Sequence, residues 1–174
     1  SELLDDAGVQ VYRELVRRSV TPCLLLGTDH TDRLDLKITA AALDEMREAF
    51  QLFEPFESRR MVTVFGSART KTDDPLYRQA DAVAAALAAE GWMVITGAGP
   101  GLMQAAAEGA GPEQSIGVSI RLPFEEAPSD TLAEPNVVTM KYFFTRKLML
   151  IKESKGFVSL PGGFGTLDET FELL

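Results

Sequence analysis

The chain has 174 residues, 45% of them hydrophobic, with a formal net charge of −9: enough for one compact domain with a core and an extension, and too little for two comfortable domains. The acidic balance argues against a nucleic-acid polymer as partner, because phosphate backbones are held by clustered Lys and Arg, yet it leaves room for a small phosphorylated ligand held by backbone amides and one or two local cations. One cysteine, Cys23, and one histidine, His30, rule out an internal disulfide and leave no metal-ligand cluster. With no apolar run of about 18 residues and an acidic start, SELLDDAGVQ, the expected setting is the cytoplasm, away from membranes.

Residues 1–60 read as a helical extension. "VQVYRELVRRSV" and "ITAAALDEMREAFQLFEPF" carry apolar residues at helical spacing, for example Leu43, Met46, Phe50 and Phe53, and a polar stretch, "GTDHTDRLD", joins them. Two helices without chemistry are expected there, with His30 in the connecting loop.

From residue 61 the rhythm changes to strand, turn and helix. "MVTVFGS" is a short, β-branched apolar run that ends in Gly66 and Ser67. In "DDPLYRQADAVAAALAAEG", Asp74 suits an N-cap, Pro75 the first helical position and Gly91 the stop. A strand at 92–96 then meets a glycine turn and a helix opening at Pro100. Further apolar runs lie at 116–120, 136–140 and 156–160, the last preceded by the helical "YFFTRKLMLIKES". Alternating strands and helices predict parallel pairing in an open, doubly wound α/β sheet over 61–174. Ligands in such sheets sit beyond the carboxyl ends of the strands, here Gly66 and Ser67, Gly97 to Gly101, and Pro161 to Thr166.

A dinucleotide fingerprint is absent, since the third residue after Gly99 is Leu102 and the strand where a ribose-binding acid would fall ends in Arg121. "GGFGT" lacks the lysine of a Walker A loop. Gly162, Gly163, Gly165 and Thr166 before a helix instead make a candidate anion cradle, with Gly97, Gly99 and Gly101 forming a second glycine turn. Thr166-Leu167-Asp168-Glu169 also fits a capping box, so spacing alone leaves Glu169 either a cap or a catalyst. Arg146 favours the second role. Its helical neighbours are Tyr142, Phe143, Met149 and Leu150, so its guanidinium leaves an apolar face and needs a carboxylate or a phosphate. Lys147 has a similar setting, unless either side chain reaches along the helix to solvent.

"TRK" at 145–147, followed after fifteen residues from Arg146 by "PGGFGTLDE", resembles the signature of the LOG (lonely guy) family, cytokinin riboside 5′-monophosphate phosphoribohydrolases. "VTVFGSART", "VITGAGPGLMQAAAEGA" and "SIRLPFEEAPS" are similar to the branch of that family with an N-terminal helical extension. The resemblance implies a Rossmann-like homo-oligomer, with no cofactor and no metal, that hydrolyses nucleoside 5′-monophosphates such as AMP or N6-prenyl-AMP. It implies Arg146 and Glu169 as catalytic residues. Gly66, Ser67, Gly97, Gly99, Gly101, Lys147, Gly162, Gly163, Gly165 and Thr166 are expected to bind substrate, with Met103 and Glu125 placed near the base by position. A non-catalytic carrier of a nucleotide or phosphorylated cofactor is the alternative. Two departures stand out. Ala98 replaces the middle glycine of the family's GGG, and the chain ends at Leu174 where members continue, so the sheet is expected to lack C-terminal elements.

Overall fold

A computed structural model describes residues 2–121 and 136–173. The chain divides into two compact units, residues 1–41 and 42–174. The first holds α1 (Glu2–Asp6), α2 (Arg13–Thr28) and the opening turns of α3 (Arg33–Phe53). Arg13 donates to Asp5 Oδ1 at 2.5 Å and to Val9 O at 2.6 Å, tying α2 to the turn after α1. α2 runs on to Thr28, so much of the polar stretch expected to be loop is helix. The turn to α3 holds an exposed His30 in the left-handed region, at φ 57°. Asp32 then accepts from the amides of Leu34 and Asp35, an N-cap for α3.

Among the described residues the second unit holds a parallel five-stranded sheet, β1 (Met61–Phe65), β2 (Met93–Thr96), β3 (Ser115–Ile120), β4 (Val137–Met140) and β5 (Gly156–Ser159), in the order β4-β3-β2-β1-β5. Every pairing is parallel. β1, β2 and nearly all of β3 are buried on both faces, which is why they read as unbroken apolar runs. Alternate residues serve two cores. Met61, Phe65, Met93, Ile95, Ile116 and Val118 face Met149 and Leu150 of α6 (Phe143–Lys152) and Ala49 and Phe53 of α3. Val62, Val64 and Val94 face α4 (Pro75–Ala89) and α5 (Leu102–Ala110). The expected doubly wound architecture is therefore present, with helices on both sides.

Of the apolar residues read at helical spacing in α3, Phe53 is buried and Met46 packs against the core. Ala42, Glu45, Ala49 and Phe53 are buried, while Leu43 and Phe50 are 43% and 45% exposed. Small alanines and a glutamate complete the buried stripe, and the glutamate has a partner described below.

Local signals account for α4. Asp74 accepts from Leu76 N at 2.8 Å, Pro75 opens the helix, and Gly91, at φ 78°, ends it while Trp92 N returns to Leu87 O. α5 starts at Leu102, two residues after Pro100, because Gly101 at φ 72° is its N-cap. α4 and α5 pack through small residues, and a Cβ added to Gly109 would collide with Asp81 O of α4. Since backbone cannot move aside as a side chain can, Gly109→Ala should lower stability by about 1–3 kcal/mol. Thermal unfolding beside an exposed Gly27→Ala control, where a Cβ meets nothing within 4 Å, checks this.

Candidate functional site at the carboxyl edge of the sheet

From β1 to β3 the chain advances one strand at a time with α4 and α5 on one face. From β4 it returns past β3, β2 and β1 to β5 with α6 on the other, as crossovers of one hand require when their direction reverses. The strands that diverge are β1 and β5, and their carboxyl ends bound the crevice where α/β sheets hold ligands. The loops there are bonded to one another: Ser67 N donates to Pro161 O at 3.2 Å, and Leu102 N to Ser67 O at 3.0 Å.

The glycines of these loops have different causes. A Cβ on Gly66 would lie 2.7 Å from Leu102 Cβ, and one on Gly101 would strike Ser67 O. Both glycines let the loop after β1 pack on the start of α5. Gly97 makes room for the Arg146 guanidinium and Met103 Sδ, Gly99 for Met103 Cε, and Gly162 for the Thr166 hydroxyl. Gly163 and Gly165 alone of the expected set meet nothing within 4 Å, so their backbone is open to an incoming group. They lie at the start of α7 (Phe164–Phe171), where amides without intrahelical partners and the positive end of the helix dipole favour an anion. Ala98 stands at φ 55°, a left-handed conformation that favours glycine, and its amide donates to Thr96 Oγ1.

Arg146 and Glu169 meet. Arg146, 9% exposed, donates from Nε to Val118 O at 2.9 Å, from Nη2 to Gly97 O at 3.4 Å and from Nη1 to Glu169 Oε1 at 3.3 Å. α7 begins at Phe164, so Thr166 is its third residue and no side chain caps it; the capping box does not form. Glu169 is thus free for Arg146. Its Cβ tilts toward the helix N-terminus, over the turn that contains Gly165. Burial pushes the Glu169 carboxyl above the ordinary glutamate range, with Arg146 and then Lys147 pulling it back. Burial likewise draws Arg146 below its ordinary value, opposed by Glu169. A half-buried carboxylate held by an arginine, beside an anion-attracting helix end, is suited to positioning water.

Lys147 is otherwise engaged: its ammonium lies 2.6 Å from Asp168 Oδ2 and 2.9 Å from Glu172 Oε2, and these bonds raise its pKa. It clasps α6 to α7 from the side. Glu125 lies outside the described residues. Sequence reasoning passed over Glu45, whose one signal is a carboxylate inside the small-residue stripe of α3.

The model of the SLOG cluster4 family matches residues 59–172, the sheet and the whole carboxyl edge just described. The chain belongs to that family. Two curated relatives share the name cytokinin riboside 5′-monophosphate phosphoribohydrolase. The Mycobacterium marinum protein is 32% identical over 121 residues, covering 67% of this chain and 64% of the relative. The Mycobacterium tuberculosis protein is 33% identical over 109 residues, covering 60% and 57%. This SLOG chain therefore spans less than two thirds of the length of either relative. The kinship read from TRK and PGGFGTLDE is borne out. Among solved structures, the Moco carrier protein from Chlamydomonas reinhardtii matches with a TM-score of 0.50 at 22% identity, over 66% of this chain and 69% of that one, a likeness of fold.

Proposed function

We propose that this SLOG protein hydrolyses the N-glycosidic bond of a nucleoside 5′-monophosphate, AMP or N6-prenyl-AMP, releasing the free base and ribose 5-phosphate. The observation that carries the reading is the Arg146–Glu169 pair beside the open start of α7. Family membership and the names of the mycobacterial relatives support the substrate class.

The chemistry follows from charge. As C1′–N breaks, positive charge builds on the ribose and negative charge on the departing base. The Glu169 carboxylate stabilises the oxocarbenium-like sugar and orients the water that adds to C1′. That water yields the new hydroxyl, and its released proton ends on the base. Arg146 favours the ionised form of Glu169 against the burial that disfavours it. The amides of Gly163, Gly165 and Thr166 take the 5′-phosphate. The apolar side chains that α6 exposes beside the site, Phe143, Phe144 and Leu148, support self-association of the subunits.

Incubation of the purified protein with AMP should release adenine and ribose 5-phosphate, resolved by chromatography. AMP recovered intact, while raising the melting temperature, would make the protein a carrier instead.

A further inference from the structure

The first turn of α6 has no cap of its own, since Tyr142 occupies the N-cap position without a side-chain bond. Glu45 of α3 instead takes the two amides that lead into the helix and the hydroxyl of its third residue. Its Oε1 accepts from Lys141 N at 2.8 Å, and its Oε2 from Tyr142 N at 3.4 Å and from Thr145 Oγ1 at 2.6 Å. Glu45 is 8% exposed and Thr145 fully buried, so the Thr145 hydroxyl chooses between Glu45 Oε2 and Tyr142 O at 2.8 Å in its own turn, and the carboxylate is the nearer and the charged acceptor. A carboxylate is also the favourable charge at a helix N-terminus.

Thr145 and Arg146 are consecutive, and side chains one residue apart diverge by about 100° around a helix. Thr145 is pinned toward α3, while Arg146 is pinned by Val118 O and Gly97 O at the edge of the sheet. Neighbours anchored in two directions fix both the rotation and the axial position of α6. The guanidinium contacts already span 2.9–3.4 Å, so a shift of a few tenths of an ångström would break the longer ones.

We infer that Glu45 is a positioning residue for Arg146: by capping α6 and holding Thr145 it sets where the guanidinium meets Glu169. The helix before the sheet thereby becomes part of the machinery, and its kinetic consequence rests on the hydrolase reading. Glu45→Gln keeps the shape and turns one acceptor oxygen into an NH2 group that cannot accept. The expected result is a kcat for AMP about 10-fold lower with KM within about twofold, because the guanidinium that meets Glu169 is displaced while the phosphate-facing start of α7 is untouched. Thr145→Val should reproduce the loss and Thr145→Ser restore it; if Glu45→Gln does not fold, this pair carries the same readouts. Independently of turnover, the Arg146 Nε–H resonance, protected by Val118 O, should exchange about ten times faster in Glu45→Gln. A lower melting temperature with kcat and Nε–H exchange unchanged would overturn the inference and leave Glu45 a brace for the fold. If the wild-type protein leaves AMP intact, the hydrolase reading fails while the exchange measurement still decides: faster exchange supports positioning, and unchanged exchange overturns it.

Discussion

Glu169→Gln should lower turnover of AMP by about 10²- to 10⁴-fold, the range over which a positioned acid or base acts, while AMP still binds with an affinity within a few fold of wild type. Glutamine preserves the length of the side chain and can still accept from Arg146 Nη1 through its amide oxygen. It lacks the negative charge that would face the sugar cation, and its amide does not accept a proton. Because burial already works against the ionised carboxyl at this position, removing the charge costs the fold little, and the melting temperature should stay within a few degrees. The pairing of lost turnover with retained binding and stability separates a catalyst from a structural partner of Arg146. Full turnover in Glu169→Gln would return the residue to a purely structural role. Single-turnover kinetics and calorimetric titration with AMP measure the two quantities.

The sheet was legible because parallel strands buried on both faces need unbroken β-branched and apolar runs. Those runs occur at 61–65, 93–96 and 115–120, each bounded by glycine or polar turns. α4 was legible for a similar reason, since Asp74, Pro75 and Gly91 act on their own backbone and need no tertiary partner. Where tertiary contact decides, local pattern failed. Thr166 to Glu169 fits a capping box, yet the helix starts three residues earlier, with Gly163 as its N-cap, and Glu169 turns to Arg146. Apolar spacing in α3 found Met46 and Phe53, which pack in the core, but also Leu43 and Phe50, which stay exposed, and it passed over Ala42, Glu45 and Ala49. Nothing in the spacing could tie Glu45 to Lys141 and Thr145, because that bond joins segments almost a hundred residues apart through the fold. The glycines marked the right loops, but only coordinates separate Gly66 and Gly101, shaped by neighbouring chain, from Gly163 and Gly165, which face open space.

Arg146→Ala should abolish measurable hydrolysis and also destabilise the protein by about 1–3 kcal/mol, less than the loss of one member of a fully buried pair because this pair retains some exposure. Three acceptors lose their donor at once: Val118 O, Gly97 O and Glu169 Oε1. Lysine is no substitute, since one ammonium cannot reach three acceptors that the guanidinium meets from three separate nitrogens. With Arg146 gone, the strongest influence lowering the Glu169 pKa is removed while burial remains, so the carboxyl should titrate at a higher pH than in the wild type. A carboxyl whose folded pKa is raised contributes stability below its unfolded value, near 4.3, and loses it as pH rises through the folded value. The stability deficit of Arg146→Ala should therefore be smallest near pH 4, where the part due to Val118 O and Gly97 O remains, and grow as the pH rises through the window where buried Glu169 ionises. Carbon-13 titration of the Glu169 carboxyl, with denaturant melts at several pH values, follows both effects. A deficit independent of pH, with an unmoved carboxyl titration, would mean that Arg146 does not keep Glu169 ionised and serves the packing of α6 alone.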